Sequence, residues 1–360
     1  MIDMRRISLV LIAIVLLVGA AAAQMQQKTL DIYVFDTEGG ESVLYVSPNG
    51  ETLLFDTGGG NQDANKRDLA RIATAVKEAR VQVLDYVIVS HNHGDHVGNA
   101  ADLATLPMRN IRQYLDHGPF TTELQPGQRA GFERYLAVRN MARARRAMPG
   151  EVISLGPVQV HVVASAGEFT STPLPGGGGT NPLCSQHKPK RDVRGVENDY
   201  VVAAAVRFGS FSMIELSDMI WNQEMRLVCP NNLLGTADVY HTSGHADEWG
   251  SNPVMVHAIR PRVAVMNNAA VKGGHADTFR TLRSSPGFED VWQAHFSMKN
   301  ASKADNSPEQ FIANLEETPG HVGYHIKISA RQDGSFTVTN GRNGFSKEYP
   351  ARSAAPAATR

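Results

Sequence analysis

A layered α/β domain is predicted by three features of this chain. Short apolar runs of strand length come first as a meander, and further on they alternate with segments of helical spacing. No internal repeat divides the chain, which argues against a barrel of eight identical units. The 360 residues, 42% hydrophobic and 20% charged, are enough for a large core in one big domain or two. A formal net charge of -1 provides no global pull towards nucleic acid or an acidic membrane, so a polyanionic substrate needs a local basic patch.

The elements follow in order. Arg5 and Arg6 precede an apolar run from Ile7 to about Val18, and Gly19 to Ala23 supply the small residues of a cleavage site before Gln24. Residues 1–23 are thus expected to be a signal peptide; an uncleaved anchor is the alternative, but the run is shorter than the roughly 20 residues that span a bilayer. The mature protein is expected to be periplasmic or secreted. Leu30 to Asp36 alternates as a half-buried strand, Ser42 to Ser47 follows, Pro48-Asn49-Gly50 turns, and Glu51 to Phe55 returns into the glycine-rich Asp56-Thr57-Gly58-Gly59-Gly60. Asp68 to Arg80 has helical spacing, Leu84 to Ser90 reads as a buried strand, and a helix is expected from near His96. Val158 to Val163, the hairpin Tyr200 to Phe208 and Phe211 to Leu216, Arg262 to Met266, His325 to Ala330 and Phe336 to Thr339 continue the pattern.

Two segments stand out as insertions. Residues 122–148 carry a helix with Arg129, Arg134, Arg139, Arg143, Arg145 and Arg146, and residues 166–198 are rich in Pro and Gly. Long irregular loops often serve as lids or binding loops, while a solvated helix and a surface excursion are the plain alternatives. Beyond the signal peptide, one domain is expected over 28–345, with a flexible tail at 346–360. Cys184 and Cys229 are free to pair in an oxidising compartment, but two cysteines far apart in sequence do not prove a bridge.

His91-Asn92-His93-Gly94-Asp95-His96 is the most informative segment. Four nitrogen and oxygen donors share one turn at a strand end, as zinc, iron or manganese require; a solvated turn is the alternative. His91 and His93, at i and i+2, point one way, and Asp95 and His96 emerge after Gly94 towards a second position.

The order Asp56 in Asp-Thr-Gly, the 91–96 motif, Asp218 after the hairpin and His245 in Thr242-Ser243-Gly244-His245 resembles the metallo-β-lactamase-fold hydrolase superfamily over about residues 28–345. Within it the chain is most similar to the exported and competence-protein-like branch, in which an Asn precedes the hairpin strand, here in Glu197-Asn198-Asp199-Tyr200. The resemblance implies a four-layer αβ/βα sandwich with two divalent metals, most simply Zn2+ with Mn2+ or Fe2+ as alternatives, at one edge. It implies that His91 and His93 bind the first metal, that Asp95, His96 and His245 bind the second, and that Asp218 bridges them. Asp56 is expected beside the ligands without coordinating. For a third histidine at the first metal the candidates are His117, His161 and His187, of which His117, following a strand, is preferred, with a structural histidine as the alternative. His241 stands near the place of a second family histidine and is expected to pack or support.

Two cations bridged by a carboxylate lower the pKa of a shared water and polarise the bond it attacks, so hydrolysis through metal-bound hydroxide is expected. Asp95 and Asp218 are then ligands first and proton acceptors second. No Gly-x-Ser-x-Gly or phosphate-loop motif is present. The expected substrate is a phosphodiester or related phosphate ester, with Lys272 neutralising phosphate and His275 protonating a leaving group. Hydrolysis of a β-lactam or lactone, and a non-catalytic exported metal-binding scaffold, are the alternatives. Nucleic acid enters only as a substrate, and no stable membrane insertion is expected after cleavage.

Overall fold

The computed structural model describes residues 29–118, 126–141, 143–191, 196–316 and 322–352. The expected signal peptide lies outside them. Two nine-stranded sheets dominate. The meander forms as expected from β1 (Leu30–Val34), β2 (Val43–Val46) and β3 (Thr52–Phe55), antiparallel, with Tyr33 opposite Leu44 and Leu44 opposite Leu54. The first sheet continues in parallel through β4 (Val83–Ile88), β5 (Asn110–Asp116) and β6 (Ala144–Arg146).

The chain then builds the second sheet. Its antiparallel part is β7 (Val152–Leu155), β8 (Val158–Ser165), β9 (Glu168–Phe169), β10 (Ala203–Phe208) and β11 (Phe211–Glu215). Its parallel part is β12 (Val239–His241), β13 (Val263–Met266), β14 (Asp290–His295) and β15 (Ile312–Asn314). Finally β16 (Ile326–Ala330), β17 (Phe336–Asn340) and β18 (Ser346–Tyr349) return to the first sheet beside β1.

Three apolar cores separate four layers, which is the expected αβ/βα sandwich. Tyr45, Phe55, Phe211, Trp292 and Phe336 pack between the sheets. Helix α1 (Gln62–Glu78), the single turn α2 (Gly94–Val97) and α3 (Pro126–Met141) lie on the first sheet, through Ile72, Ala75, Val76, Val97 and Tyr135. On the second sheet lie α4 (Trp221–Val228), α5 (Pro253–Ile259) and α6 (Ala276–Arg283), through Leu227, Met255, Phe279 and Leu282. Truncating one of these large core side chains costs about 2–5 kcal/mol. No helix among the described residues is long and apolar enough to cross a membrane.

Several boundaries move for local reasons. Helix α1 starts six residues ahead of the expected Asp68, because Asn61 caps it by accepting from the Asp63 and Ala64 amides, while the polar first turn carries no apolar period. The helix expected from His96 is one turn long, and the 122–148 insertion ends in β6, since Met141 closes its helix. Pairing also extends into the segment expected to be a loose tail. Tyr349 faces Phe336, and Arg352 donates to Asp238 and to the Ala237 carbonyl, so the fold reaches at least Arg352.

The insertions are docked rather than loose. Arg139 and Tyr135 of α3 both meet Asp116 and Arg134 pairs with Asp102, so the helix arginines anchor α3, while Arg145 on β6 pairs with Glu151. The 166–198 segment is tied to the end of α4. Gly179–Thr180 pairs with Asn231–Asn232, Asn181 donates to the Val228 carbonyl, and Cys184 is disulfide-bonded to Cys229 with 5.8 Å between Cα atoms.

Candidate metal centre

The donors gather at the carboxyl ends of the parallel strands, where open α/β sheets place their ligands. The 91–96 motif starts as β4 ends, and His93 is the residue that opens α2, which carries Asp95 and His96. Asp56 follows β3, Asp218 lies three residues past β11, and His245 lies in a turn after β12. Asp56 (φ 56°), Ser217 (φ 50°) and His245 (φ 56°) all adopt left-handed backbone without being glycine. Each such conformation costs on the order of 1–3 kcal/mol and persists where surrounding contacts over-determine it, as functional sites do. The approach is close: a Cβ at Gly40 would meet the Asp95 carbonyl oxygen at 2.4 Å, and one at Gly273 would meet that of His245 at 2.0 Å.

Two groups of converging donors result, His91, His93 and Asp218 on one side and Asp95, His96 and His245 on the other, each with its ligand atoms within 4.8 Å of one another. Asp218 serves both. Its Oδ2 is 4.0 Å from His91 Nε2, and its Oδ1 is 3.5 Å from His96 Nε2 and 3.0 Å from His245 Nε2. Asp95 Oδ2 closes the second group at 3.8 Å from His96 Nε2 and 3.6 Å from His245 Nε2. His96 Nε2, His245 Nε2 and Asp218 Oδ1 are buried without a hydrogen-bond partner. Buried polar atoms are rarely left so, and three of them converging from histidines and a carboxylate fit divalent cations.

Behind the donors lies a supporting hydrogen-bond network. Asp56 accepts from the Ser90 amide at 2.7 Å, from Ser90 Oγ at 2.5 Å, from His96 Nδ1 at 2.7 Å and from Ser217 Oγ at 3.4 Å. The His96 contact puts that ring's proton on Nδ1 and leaves Nε2 to face the cluster, as a metal-ligating histidine needs. The Asn267 side-chain amide lies 3.1 Å from His245 Nδ1, and Asn198 donates to the Asp218 carbonyl oxygen. Glu224, buried, holds the His245 turn by accepting from Ser243 Oγ and from the Ser251 and Asn252 amides.

The electrostatics suit cation binding. Burial holds His91, His93 and His245 below the ordinary histidine range, which favours the neutral rings that a metal accepts. Burial opposes a charge on His96, but Asp218, Asp95 and Asp56 outweigh it and raise that ring's affinity for a positive charge. Burial also pushes Asp218 and Asp95 up, yet His245 and His96 hold Asp218 below the usual carboxylate range, and Lys272, His96 and His245 do the same for Asp95.

Other predicted residues fall elsewhere. His117 is buried 2.9 Å from Glu197 Oε1 and 3.1 Å from Asn92 Nδ2, and the structure does not bring it into either group of donors. The reason is that Glu197, delivered by the 166–198 insertion, meets its Nε2. His161 sits on β8, and His187 lies 3.0 Å from Asn252 Nδ2. His275 caps α6, with Nδ1 accepting from the Asp277 amide at 3.4 Å. Lys272 Nζ meets Asp95 Oδ2 and the Gly39 carbonyl oxygen. With Asp95, Arg67, Glu38 and Gly59 it lines a cavity of about 390 Å³. A larger cavity of about 590 Å³ between α1, α3 and the 94–105 turns is lined by none of the converging donors.

Sequence reasoning expected His241 to pack or support but missed the glutamate layer that meets it beneath the site. Glu41, Glu215 and His241 are all buried, with His241 Nδ1 2.6 Å from Glu215 Oε2 and Glu41 hydrogen-bonded to Glu215. Burial pushes Glu215 up to about 8, and burial and Glu215 together raise Glu41. A lone Glu inside the apolar run Phe211-Ser212-Met213-Ile214-Glu215-Leu216 was its only trace in the chain.

A family model described as the metallo-beta-lactamase superfamily matches residues 36–185. No curated protein matches the chain. Similar solved structures include the metallo-beta-lactamase fold protein YhfI from Bacillus subtilis, at 13% identity over 73% of this chain and 96% of that one, TM-score 0.43. A diphosphatase of the PhnP family is 13% identical over 70% of this chain and 81% of that one, TM-score 0.35.

Proposed function

With a family model of the metallo-beta-lactamase superfamily matching residues 36–185 as support, we propose that this chain is an exported, dinuclear metal-dependent hydrolase of phosphodiesters or related phosphate esters. The observation that carries the reading is the division of Asp218. One carboxylate faces two separate groups of histidine donors, with its Oδ2 towards His91 and its Oδ1 towards His96 and His245.

In this reading His91, His93 and Asp218 hold one cation, and Asp95, His96, His245 and Asp218 hold the other. Bound there, the cations supply an activated water at neutral pH and polarise the bond under attack. The protein's own part is orientation. Asp56 fixes the His96 ring, Asn267 lies against the His245 ring, and the Ser90 and Ser217 hydroxyls tie the two sheets together at Asp56. Lys272 and Arg67 on the wall of the 390 Å³ cavity support an anionic substrate group. His275 is kept as a leaving-group acid only if substrate brings its ring out of the α6 cap.

The test is zinc, manganese and iron analysis of the mature protein, paired with turnover of bis(p-nitrophenyl) phosphate, nitrocefin and acyl-homoserine lactones by wild type and Asp218→Ala. Phosphodiester turnover that needs Asp218, without nitrocefin or lactone turnover, supports the reading. The opposite substrate pattern sinks its substrate class, and two bound metals without any turnover favour a scaffold role.

A further inference from the structure

Asp95 Oδ2 has two suitors. It faces His96 Nε2 at 3.8 Å and His245 Nε2 at 3.6 Å, which makes it the carboxylate oxygen of the second group of donors. The same atom is met by the Lys272 ammonium, which also donates to the Gly39 carbonyl oxygen. The ammonium takes up one of that oxygen's lone pairs and sets a like charge beside the position a metal would occupy.

The lysine is seated, not drifting. Its stem lies on Gly39, where a Cβ would come within 2.8 Å of Lys272 Cδ, and its loop is pinned by the Ala269 amide on the Lys272 carbonyl. The next residue, Gly273, abuts the His245 carbonyl, so the backbone that aims the ammonium is the backbone that positions a metal ligand. The ion pair is partly shielded, with side-chain exposures of 38% for Lys272 and 25% for Asp95. The first group differs: among the described residues the ion pairs of Asp218 are all with histidines.

We propose that Lys272 is a tethered cation that competes with the second metal for Asp95 Oδ2, so that the two positions fill in order, His91–His93–Asp218 first. This rests on the dinuclear reading above. A metal entering the second position binds best when the ammonium has left Asp95, so its apparent affinity is scaled down to the fraction of molecules in which Lys272 is off that carboxylate. The displaced ammonium, on a flexible four-carbon stem, remains on the wall of the 390 Å³ cavity beside Arg67, where it meets an anionic group of the substrate. Loading the second metal and arming the anion site are then one event.

The experiment titrates metal-free full-length mature protein with zinc against a chelating dye, for wild type, Lys272→Met and Lys272→Arg. In Lys272→Met the second constant is expected to tighten about tenfold or more and the first to stay within about threefold. Lys272→Arg, which keeps the charge, is expected to retain the weaker second constant. Lys272→Gln replaces the Met variant if that one fails to fold. A second constant in Lys272→Met within about threefold of wild type, or weaker than it, overturns the inference while leaving the dinuclear reading intact. Wild type and Lys272→Met that both bind no zinc overturn the dinuclear reading, and the inference with it.

Discussion

The two sheets equip the site in different ways. The first presents His91, His93, Asp95 and His96 in one turn at the end of β4, with Asp56 on the neighbouring strand. The second sends Asp218 and His245 from the ends of two strands, β11 and β12, that pair in parallel only through their register. A local cluster keeps its geometry as long as one turn folds. A dispersed one depends on sheet pairing, on left-handed residues at Ser217 and His245, and on the buried Glu224 that holds the His245 turn.

The largest effect is expected where the dispersed set serves both positions. Asp218→Ala should lower bound zinc from about two per chain to below one and reduce hydrolysis to background, whereas His245→Ala should cost only the second metal. Elemental analysis after gel filtration checks this. Retention of two metals by Asp218→Ala would break the comparison, because the first sheet alone would then hold the centre.

Next comes the residue where the sheets meet. Asp56→Asn turns an amide group onto donors that now reach a carboxylate, so it should destabilise the metal-free protein by about 2–3 kcal/mol in urea unfolding. It should also weaken zinc binding by roughly 10- to 100-fold through the loosened His96 ring. On the second sheet Glu224→Gln should cost about 1–3 kcal/mol and loosen the second metal position alone, as a zinc titration would reveal. An equal loss at both positions would mean that the His245 turn is not independently held.

A smaller, titratable contrast separates the two helical layers. Burial pushes Asp68, on α1, and Glu224, on α4, each up to about 7. Between the ordinary carboxylate range and that value the folded protein binds protons that the unfolded chain does not. Stability of the metal-free protein should therefore fall as pH rises through that window, by at most about 1.4 kcal/mol per pH unit per group, and level off above it. Asp68→Asn and Glu224→Gln should each remove one share of that slope in unfolding curves taken from pH 5 to 8. The least effect on the site is expected from His117→Ala, which should leave two zinc ions bound and cost about 1–2 kcal/mol through its bond to Glu197. Loss of the first metal in that variant would restore His117 as a ligand.

What the chain determined by itself is what lies close together in it. Periodicity placed the meander and β4, because alternation and β-branched runs act over a few residues. The 91–96 donors were legible because a strand end and a single glycine turn aim them without help from afar. The boundary of α1 was less so, since its start depends on the Asn61 cap rather than on an apolar period. Tertiary structure alone decided the rest. It gave His117 to Glu197, buried Glu41 against Glu215 and His241, set Lys272 on Asp95, and paired Cys184 with Cys229. Each of those joins groups from separate strand ends or insertions. Their chemistry follows from distance and desolvation after the sheets have packed, and neither quantity is carried by residue type or spacing.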